Sequence, residues 1–312
     1  MTFSANAKSE LTRIALDKEC CELAELSAIM HTAGTISISG GAFSLRIDTE
    51  NPAVARRIFL LVKSLYGLHI KTEMHTNQLK HNHIYSLYID KSIARMVAQD
   101  TRLIGSEGIR FGADETFISS TCCRIAFVRG AFLGGGSITN PEKRYHMEFV
   151  CSQEEFADSL LNIIGELGMC AKSIVRNKSY VVYLKESDAI VTLLTMMGAH
   201  STILKIENIR VVKSVRNKVN RKVNCETGNL SKTVNASVRQ SENIVYIKEH
   251  LGLEKLDESL VRVAQARLEN PQASLGELVD ILDAASRSGV NHKLRKLNSI
   301  AEQLKDDKGG KV

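Results

Sequence analysis

Several things are missing from this 312-residue sequence: a Cys-x-x-Cys spacing, a Gly-Lys-Ser or Gly-Lys-Thr tripeptide, and any apolar run long enough to span a bilayer. Each absence removes a class of function. Without a membrane-length run, and without a basic, then apolar, then small-residue leader, neither membrane insertion nor export is expected, and the expected location is the cytoplasm. The seven cysteines include two adjacent pairs, Cys20-Cys21 and Cys122-Cys123. Neighbouring cysteines point apart, so they are expected to be reduced packing residues, with no metal site and no cofactor. The glycines of RGAFLGGGSITN, residues 129–140, follow a helix-like stretch and precede a strand-like one. A phosphate-cradling loop runs in the opposite order, strand then glycines then helix, and is excluded.

What is present is an ordinary globular composition, 44% hydrophobic and 24% charged, enough to bury the cores of two or three domains. The net charge of +6 is unevenly spread. From Arg210 to Arg239 eight Lys and Arg face a single acid, Glu226. Such a stretch is either a solvated linker or the footprint of a polyanion, and in the second case Arg216, Lys218, Arg221 and Lys222 are the candidate phosphate contacts.

The chain also repeats itself. ELSAIMHTAGTISI, AFSLRID, PAVARRIFLLVKSLYGL, HIKTEMH, IYSLYID and KSIARMVAQD are answered by FVRGAFLGGGSIT, RYHMEFV, EEFADSLLNIIGELGM, AKSIVRN, SYVVYLKE and SDAIVTLLTMMGA. Alternation at Phe43/Leu45/Ile47 and Tyr145/Met147/Phe149 predicts half-buried strands, whereas Val54, Ile58, Leu61 and Phe156, Leu160, Ile163 recur at helical spacing. Each copy therefore reads helix, hairpin, helix, hairpin, helix. Gly34 and Gly136 lie 102 residues apart (136 − 34), a period that marks a duplicated domain rather than a solenoid unit.

At equivalent places stand LSAIMHTAG and VRGAFLGGG. These resemble two degenerate copies of the LAGLIDADG motif of homing endonucleases, in which two motif helices pack along a pseudo-two-fold axis and each directs one acid at the scissile phosphates. Small residues four apart, Ala28 and Thr32 in one copy and Gly130 and Gly134 in the other, suit a close helix seam, and Gly34 and Gly136 are expected to end their helices in a left-handed conformation. The acids are missing: the penultimate motif positions are Ala33 and Gly135. Neither residue offers the hard carboxylate oxygen that two-metal hydrolysis needs, so no catalytic residue is assigned. His31, beside the seam, reads as a packing residue. The strands would form a saddle with Ser37, Ser44, Arg46, Lys71, His75 and His83 outward in one half and Arg144, His146, Lys172, Arg176 and Lys178 in the other, its potential diluted by Asp48, Glu73 and Glu148.

Beyond the basic stretch, ESLVRVAQARLE is a helix stopped before Pro271. ASLGELVDIL then carries a capping box, Ser274 with Glu277, and Val290, Leu294, Leu297 and Ala301 mark the buried side of a last helix. This is a helix-turn-helix pattern. From Ala284 to Ala301 there are four Lys or Arg and no acid, and Arg287, Ser288, Asn291, His292, Arg295 and Lys296 are the candidate DNA contacts. An ordinary helical hairpin with a solvated basic face is the competing reading.

A degenerate LAGLIDADG pair followed by a helix-turn-helix resembles the WhiA family of bacterial regulators. The likeness rests on RGAFLGGGSITNPEKRYHMEF, YVVYLKESDAI, ILKIENIRVVKSVRNKVNRKVNCETGNLSKT and SLGELVDILDAASRSGVNHKLRKL. It implies an α+β fold: a duplicated LAGLIDADG-like domain in two pseudo-symmetric halves, then an all-α domain similar to the promoter-reading region of sigma factors. It implies sequence-specific binding of double-stranded DNA in the nucleoid without nuclease activity, with links to sporulation, cell division or chromosome handling. The expected layout is 1–110 and 111–209 for the halves, 210–226 for a basic linker, 227–305 for the helix-turn-helix and 306–312 for a disordered tail. A residual nuclease is the alternative. A protein partner on the duplicated domain, another transcription regulator or RNA polymerase, or a small ligand there, is compatible with DNA binding by the last domain.

Overall fold

A computed structural model describes residues 2–15, 17–39, 42–77, 82–114 and 116–309. The chain divides into two compact units, Met1–Val212 and Lys213–Val312. The first opens with a helix that the sequence reading did not anticipate, α1 (Phe3–Leu11). The first repeat then runs α2 (Glu19–Ala33), β1 (Gly34–Ser39), β2 (Ala42–Thr49), α3 (Pro52–Tyr66), β3 (Lys71–Asn77), β4 (Asn82–Ile89) and α4 (Lys91–Asp100). A small bridge, β5 (Ile104–Gly105) with β6 (Gly108–Ile109), leads to the second repeat. That repeat runs α5 (Thr121–Gly135), β7 (Gly136–Ile138), β8 (Met147–Cys151), α6 (Glu154–Glu166), β9 (Lys172–Arg176), β10 (Ser179–Leu184) and α7 (Ser187–Met197). The helix-hairpin-helix-hairpin-helix order holds in both. The sheets are equivalent antiparallel four-stranded sheets, ordered β1-β2-β4-β3 and β7-β8-β10-β9.

Local chemistry explains these elements. Pro52 opens α3 where no intrahelical donor is lost, and the Asn51 side chain accepts from Ala53 N at 2.9 Å. Val54, Ile58 and Leu61 are fully buried along one stripe of α3, as Phe156, Leu160 and Ile163 are along α6. In β2, Phe43, Leu45 and Ile47 point into the core while Ser44, Arg46 and Asp48 face away.

The core of the first unit is organised around the seam of α2 and α5. Their contact is closer than side chains would permit. A Cβ on Gly130 would lie 3.0 Å from Ala28 Cβ and well under 3.0 Å from the Glu25 carbonyl oxygen, and one on Gly134 would lie 3.1 Å from Thr32 Cβ and collide with its hydroxyl. The four residues expected at the seam are therefore its contact points. Across it lies a buried carboxylate, Glu25, which accepts from Arg57 Nε at 2.7 Å and from Arg129 Nε at 2.7 Å. Pairing with two guanidinium groups offsets the cost of burying the charge.

The glycines that close the motif helices differ from expectation. Gly34 (φ −86°, ψ 151°) and Gly136 (φ −84°, ψ 155°) are extended, not left-handed. The chain leaves each helix directly into a strand, and glycine is required because a Cβ would strike the preceding turn, at Met30 and at Phe132 respectively.

The segment expected as a linker, 210–226, lies inside one continuous helix, α8 (His200–His250). No proline occurs between Gly198 and Gly252, and Gly228 is the one glycine, so nothing breaks the helix. Its start is anchored by Glu10, whose carboxylate accepts from Thr202 N at 2.9 Å and from the Thr202 hydroxyl at 2.7 Å, an acid placed at a helix N-terminus. From Ser214 to Ala236 every side chain is exposed, so local helix propensity rather than packing holds this stretch.

In the second unit the end of α8 packs with α9 (Glu258–Glu269), α10 (Leu275–Ile281) and α11 (Arg287–Gly309) around Ile244, Ile247, Leu260, Val263, Leu278, Val290, Leu294, Leu297 and Ala301. The capping box at α10 is present: Ser274 Oγ accepts from Glu277 N at 3.3 Å, and Ser274 N donates to Glu277 Oε2 at 2.6 Å. Residues 306–309, expected in a disordered tail, continue α11, where Lys305 Nζ donates to Asn243 Oδ1 of α8 at 2.8 Å. Residues 310–312 lie outside the described residues.

Gly130→Leu and Gly134→Leu are expected to destabilise the duplicated domain by roughly 1–3 kcal/mol or more, because a side chain in the seam forces backbones apart. Gly228→Ala, in an exposed turn of α8 where an added Cβ meets nothing within 4 Å, should instead stabilise by about 0.5–1 kcal/mol. Denaturant melts of the three variants check both signs, and unchanged stability at positions 130 and 134 would remove the seam argument.

Candidate nucleic-acid interface

The last helix carries a cluster of exposed basic and polar side chains at its start. Ser286 caps α11, its Oγ accepting from Gly289 N at 3.2 Å, and Ser286 and Ser288 hydroxyls lie 3.0 Å apart. Val290, Leu294, Leu297 and Ala301 are buried at 2% exposure or less, which turns the rest of the helix outward. Arg287, Ser288, His292, Arg295 and Lys296 are exposed and Asn291 is half-buried, so the six predicted contacts share the first turns of one helix. The Arg287 guanidinium lies against Gly276, where a Cβ would come within 2.8 Å of it. Lys296 Nζ is 3.5 Å from Asp257 Oδ2, an exposed pair that water or a phosphate can replace. Arg216, Lys218, Arg221 and Lys222 are all exposed on α8, and Lys222 is 3.9 Å from Glu226.

The ends of the motif helices, where a nuclease keeps its acids, hold different chemistry. Ala33 is half-buried, and a Cβ on Gly135 would lie 2.6 Å from the Val150 carbonyl oxygen, so a carboxylate does not fit there without backbone movement. Lys8 of α1 reaches the same end of α5, donating to the Leu133 carbonyl at 3.0 Å. Burial lowers its ammonium to about 8 against the raising influence of Glu50. A cation satisfying the last carbonyls of a helix is the opposite of a metal-binding carboxylate. Among the described residues, no group of three His, Asp or Glu side chains converges at these ends. Lys8 carries no signal in the sequence, because only the packing of α1 brings it to this helix end.

The two saddle sheets carry cations that already have partners. Arg46 pairs with Asp48 at 3.1 Å, Lys71 with Glu73 at 2.6 Å, and Arg176 with Glu148 at 3.4 Å. Burial pushes the Glu148 carboxyl up, but its hydrogen bond with His146 and the charge of Arg176 outweigh this and leave it below its usual value. Apolar side chains stand beside them: Met74, Ile174 and Val175 are more than half exposed. Arg144 and Lys178 are exposed but lie outside the strands, and His146 is half-buried.

His31 stacks on Phe156 with ring centroids 4.9 Å apart. Burial holds its imidazole down to about 4, so it is a neutral packing group at ordinary pH, as the sequence suggested. The paired cysteines are free thiols, as expected, but the two pairs meet. Cys20 and Cys21 in the first turn of α2, and Cys122 and Cys123 in the first turn of α5, bring four sulfur atoms within 4.8 Å of one another.

Three family models match successive stretches of the chain: the WhiA N-terminal LAGLIDADG-like domain over residues 19–104, the WhiA LAGLIDADG-like domain over 124–216 and the WhiA C-terminal HTH domain over 219–301. The chain is similar to the probable cell division protein WhiA of Alkaliphilus oremlandii, at 45% identity over 317 residues covering 99% of each chain. It is 45% identical over 316 residues to the protein of the same name from Clostridium beijerinckii, covering 99% of this chain and 100% of that one. The crystal structure of full-length WhiA from Thermatoga maritima matches with TM-score 0.60 and 27% identity over 97% of this chain and 99% of that one. No helix among the described residues is long and apolar enough to cross a membrane.

Stability should fall as the pH drops from 6.5 toward 4, because the unfolded chain takes up a proton that the packed His31 refuses; above 6.5 both states are neutral and the contribution is complete. The loss attributable to this residue is up to roughly 3 kcal/mol. His31→Leu should flatten the stability curve in that window, and a curve parallel to wild type would show that the imidazole titrates freely.

Proposed function

Since the chain belongs to the WhiA family, we propose that it is a sequence-specific DNA-binding transcription regulator, acting in cell division and, where the organism sporulates, in sporulation. The observation that carries this reading is the exposed face of α11, where Arg287, Ser288, Asn291, His292, Arg295 and Lys296 surround the start of a helix held firmly by its buried side. An arginine or asparagine there has the donor geometry to read guanine or adenine edges in a major groove. The exposed cations of α8 supply the sequence-independent part, contacts to phosphate. The protein works on DNA in the cytoplasm as part of the nucleoid.

Binding of this kind requires no hydrolysis. Ala33 and Gly135 supply no carboxylate, and Lys8 places a cation at the end of α5. A second reading concerns the saddle. Three of its cations, Arg46, Lys71 and Arg176, are paired internally and stand among exposed apolar side chains, which favours a protein partner there, RNA polymerase or another regulator, over a polyanion.

Purified protein is expected neither to cleave nor to nick duplex DNA with Mg²⁺ or Mn²⁺; cutting that is abolished by EDTA and survives further purification would reverse this assignment. Arg295→Ala or Asn291→Ala should relax base preference, at about 1–3 kcal/mol for each good base contact. Arg221→Ala should weaken binding to all sequences alike and reduce the salt dependence by about one unit of slope. Salt-titrated binding to operator and scrambled DNA separates the two effects. If Arg295→Ala keeps full discrimination while Arg46→Ala or Arg176→Ala destroys it, the duplicated domain is the reader.

A further inference from the structure

The two cysteine pairs occupy equivalent places in the repeat. Cys20 and Cys122, like Cys21 and Cys123, are separated by the same 102 residues (122 − 20) as the glycines that end the motif helices. Each pair sits in the first turn of a seam helix, and the pseudo-two-fold packing of α2 on α5 brings the pairs face to face. Adjacent residues on one helix diverge, which is why the dipeptides do not read as ligands. Between two crossing helices the divergence becomes useful, because each pair spans one side of the space between the N-terminal turns. All four sulfurs are free thiols, and their exposure is graded from exposed Cys20 to buried Cys123.

We propose that Cys20, Cys21, Cys122 and Cys123 form a tetrathiolate site for one thiophilic divalent cation, zinc in the cell, which staples the two halves of the duplicated domain together. The spacing selects the class of occupant. Tetrahedral coordination with metal–sulfur bonds of about 2.3 Å sets the sulfurs about 3.8 Å apart. The observed sulfurs all lie within 4.8 Å of one another, so a small contraction closes the cage. A polynuclear iron–sulfur cluster would hold its thiolates further apart than this. On binding, four S–H bonds are replaced by four metal–sulfur bonds and the protons pass to solvent. The residual negative charge of the filled site faces the N-terminal ends of both α2 and α5, whose dipoles favour it. Exposed Cys20 provides the entry path. From Cys21 to Ala33 the helix rises roughly 18 Å, so the staple closes the end of the seam remote from the degenerate motif termini.

The test uses the full chain purified without chelator and kept reduced. It should carry one equivalent of zinc, and exchange for Co²⁺ should produce the sulfur-to-cobalt charge-transfer and intense d–d bands of a tetrahedral thiolate. A strong chelator should lower the thermal midpoint of the wild type by several degrees. Cys20→Ser with Cys122→Ser, changing one ligand on each helix and sparing buried Cys123, should lose the metal and the chelator response while keeping the helical circular dichroism. Should that variant fail to fold, the cobalt spectrum and chelator melt of the wild type still decide the matter. Zinc-free protein whose cobalt form lacks the charge-transfer bands, iron accompanied by acid-labile sulfide, or a disulfide between the pairs in protein kept reduced would each overturn the proposal. None of these readouts depends on DNA binding.

Discussion

The approach of α2 to α5 is the constraint on which the duplicated domain rests. At Gly130 and Gly134 one backbone lies directly on the other helix, so the separation of the helices is set by main-chain atoms rather than by side chains that can adjust. Because both helices run straight into the first strands of their sheets, that separation also fixes where the two saddles stand. The Glu25 carboxylate, shared between Arg57 of α3 and Arg129 of α5, couples the seam to the layer behind it. Removing one arginine would leave a buried charge incompletely paired, at a cost that breaking a buried pair ordinarily carries.

Opposite ends of the same seam have acquired opposite chemistry. The C-terminal ends have Ala33 and Gly135 where the resembling nucleases keep acids, and α1 lays the Lys8 ammonium against the last turn of α5. The N-terminal ends gather four thiols.

The last domain shows how a small all-α unit holds its final helix. α11 is stabilised along its length by Leu294, Leu297 and Ala301 in the core and by Asn298 and Lys305 bonded to Asn243 of α8. Its first turns are held by buried Val290 and by the Ser286 cap, while Arg287 packs on Gly276 and Lys296 makes an exposed pair with Asp257.

By itself the sequence determined the repeat, the strand and helix order of both halves, the seam residues, the capping box and the buried stripe of α11. These follow from local periodicity and from residues, such as glycine and proline, whose backbone preferences act at their own position. Periodicity could not show that 210–226 continues a helix, since a solvated basic helix has no apolar face to reveal it. Nor did it show α1, whose nine residues need the seam to pack against. The extended conformation of Gly34 and Gly136 was decided by the strand that each helix enters. The meeting of Cys20 and Cys21 with Cys122 and Cys123 was decided by the pseudo-two-fold packing, because adjacent side chains diverge on their own helix and converge only when a second helix, 102 residues away (122 − 20), is laid across it.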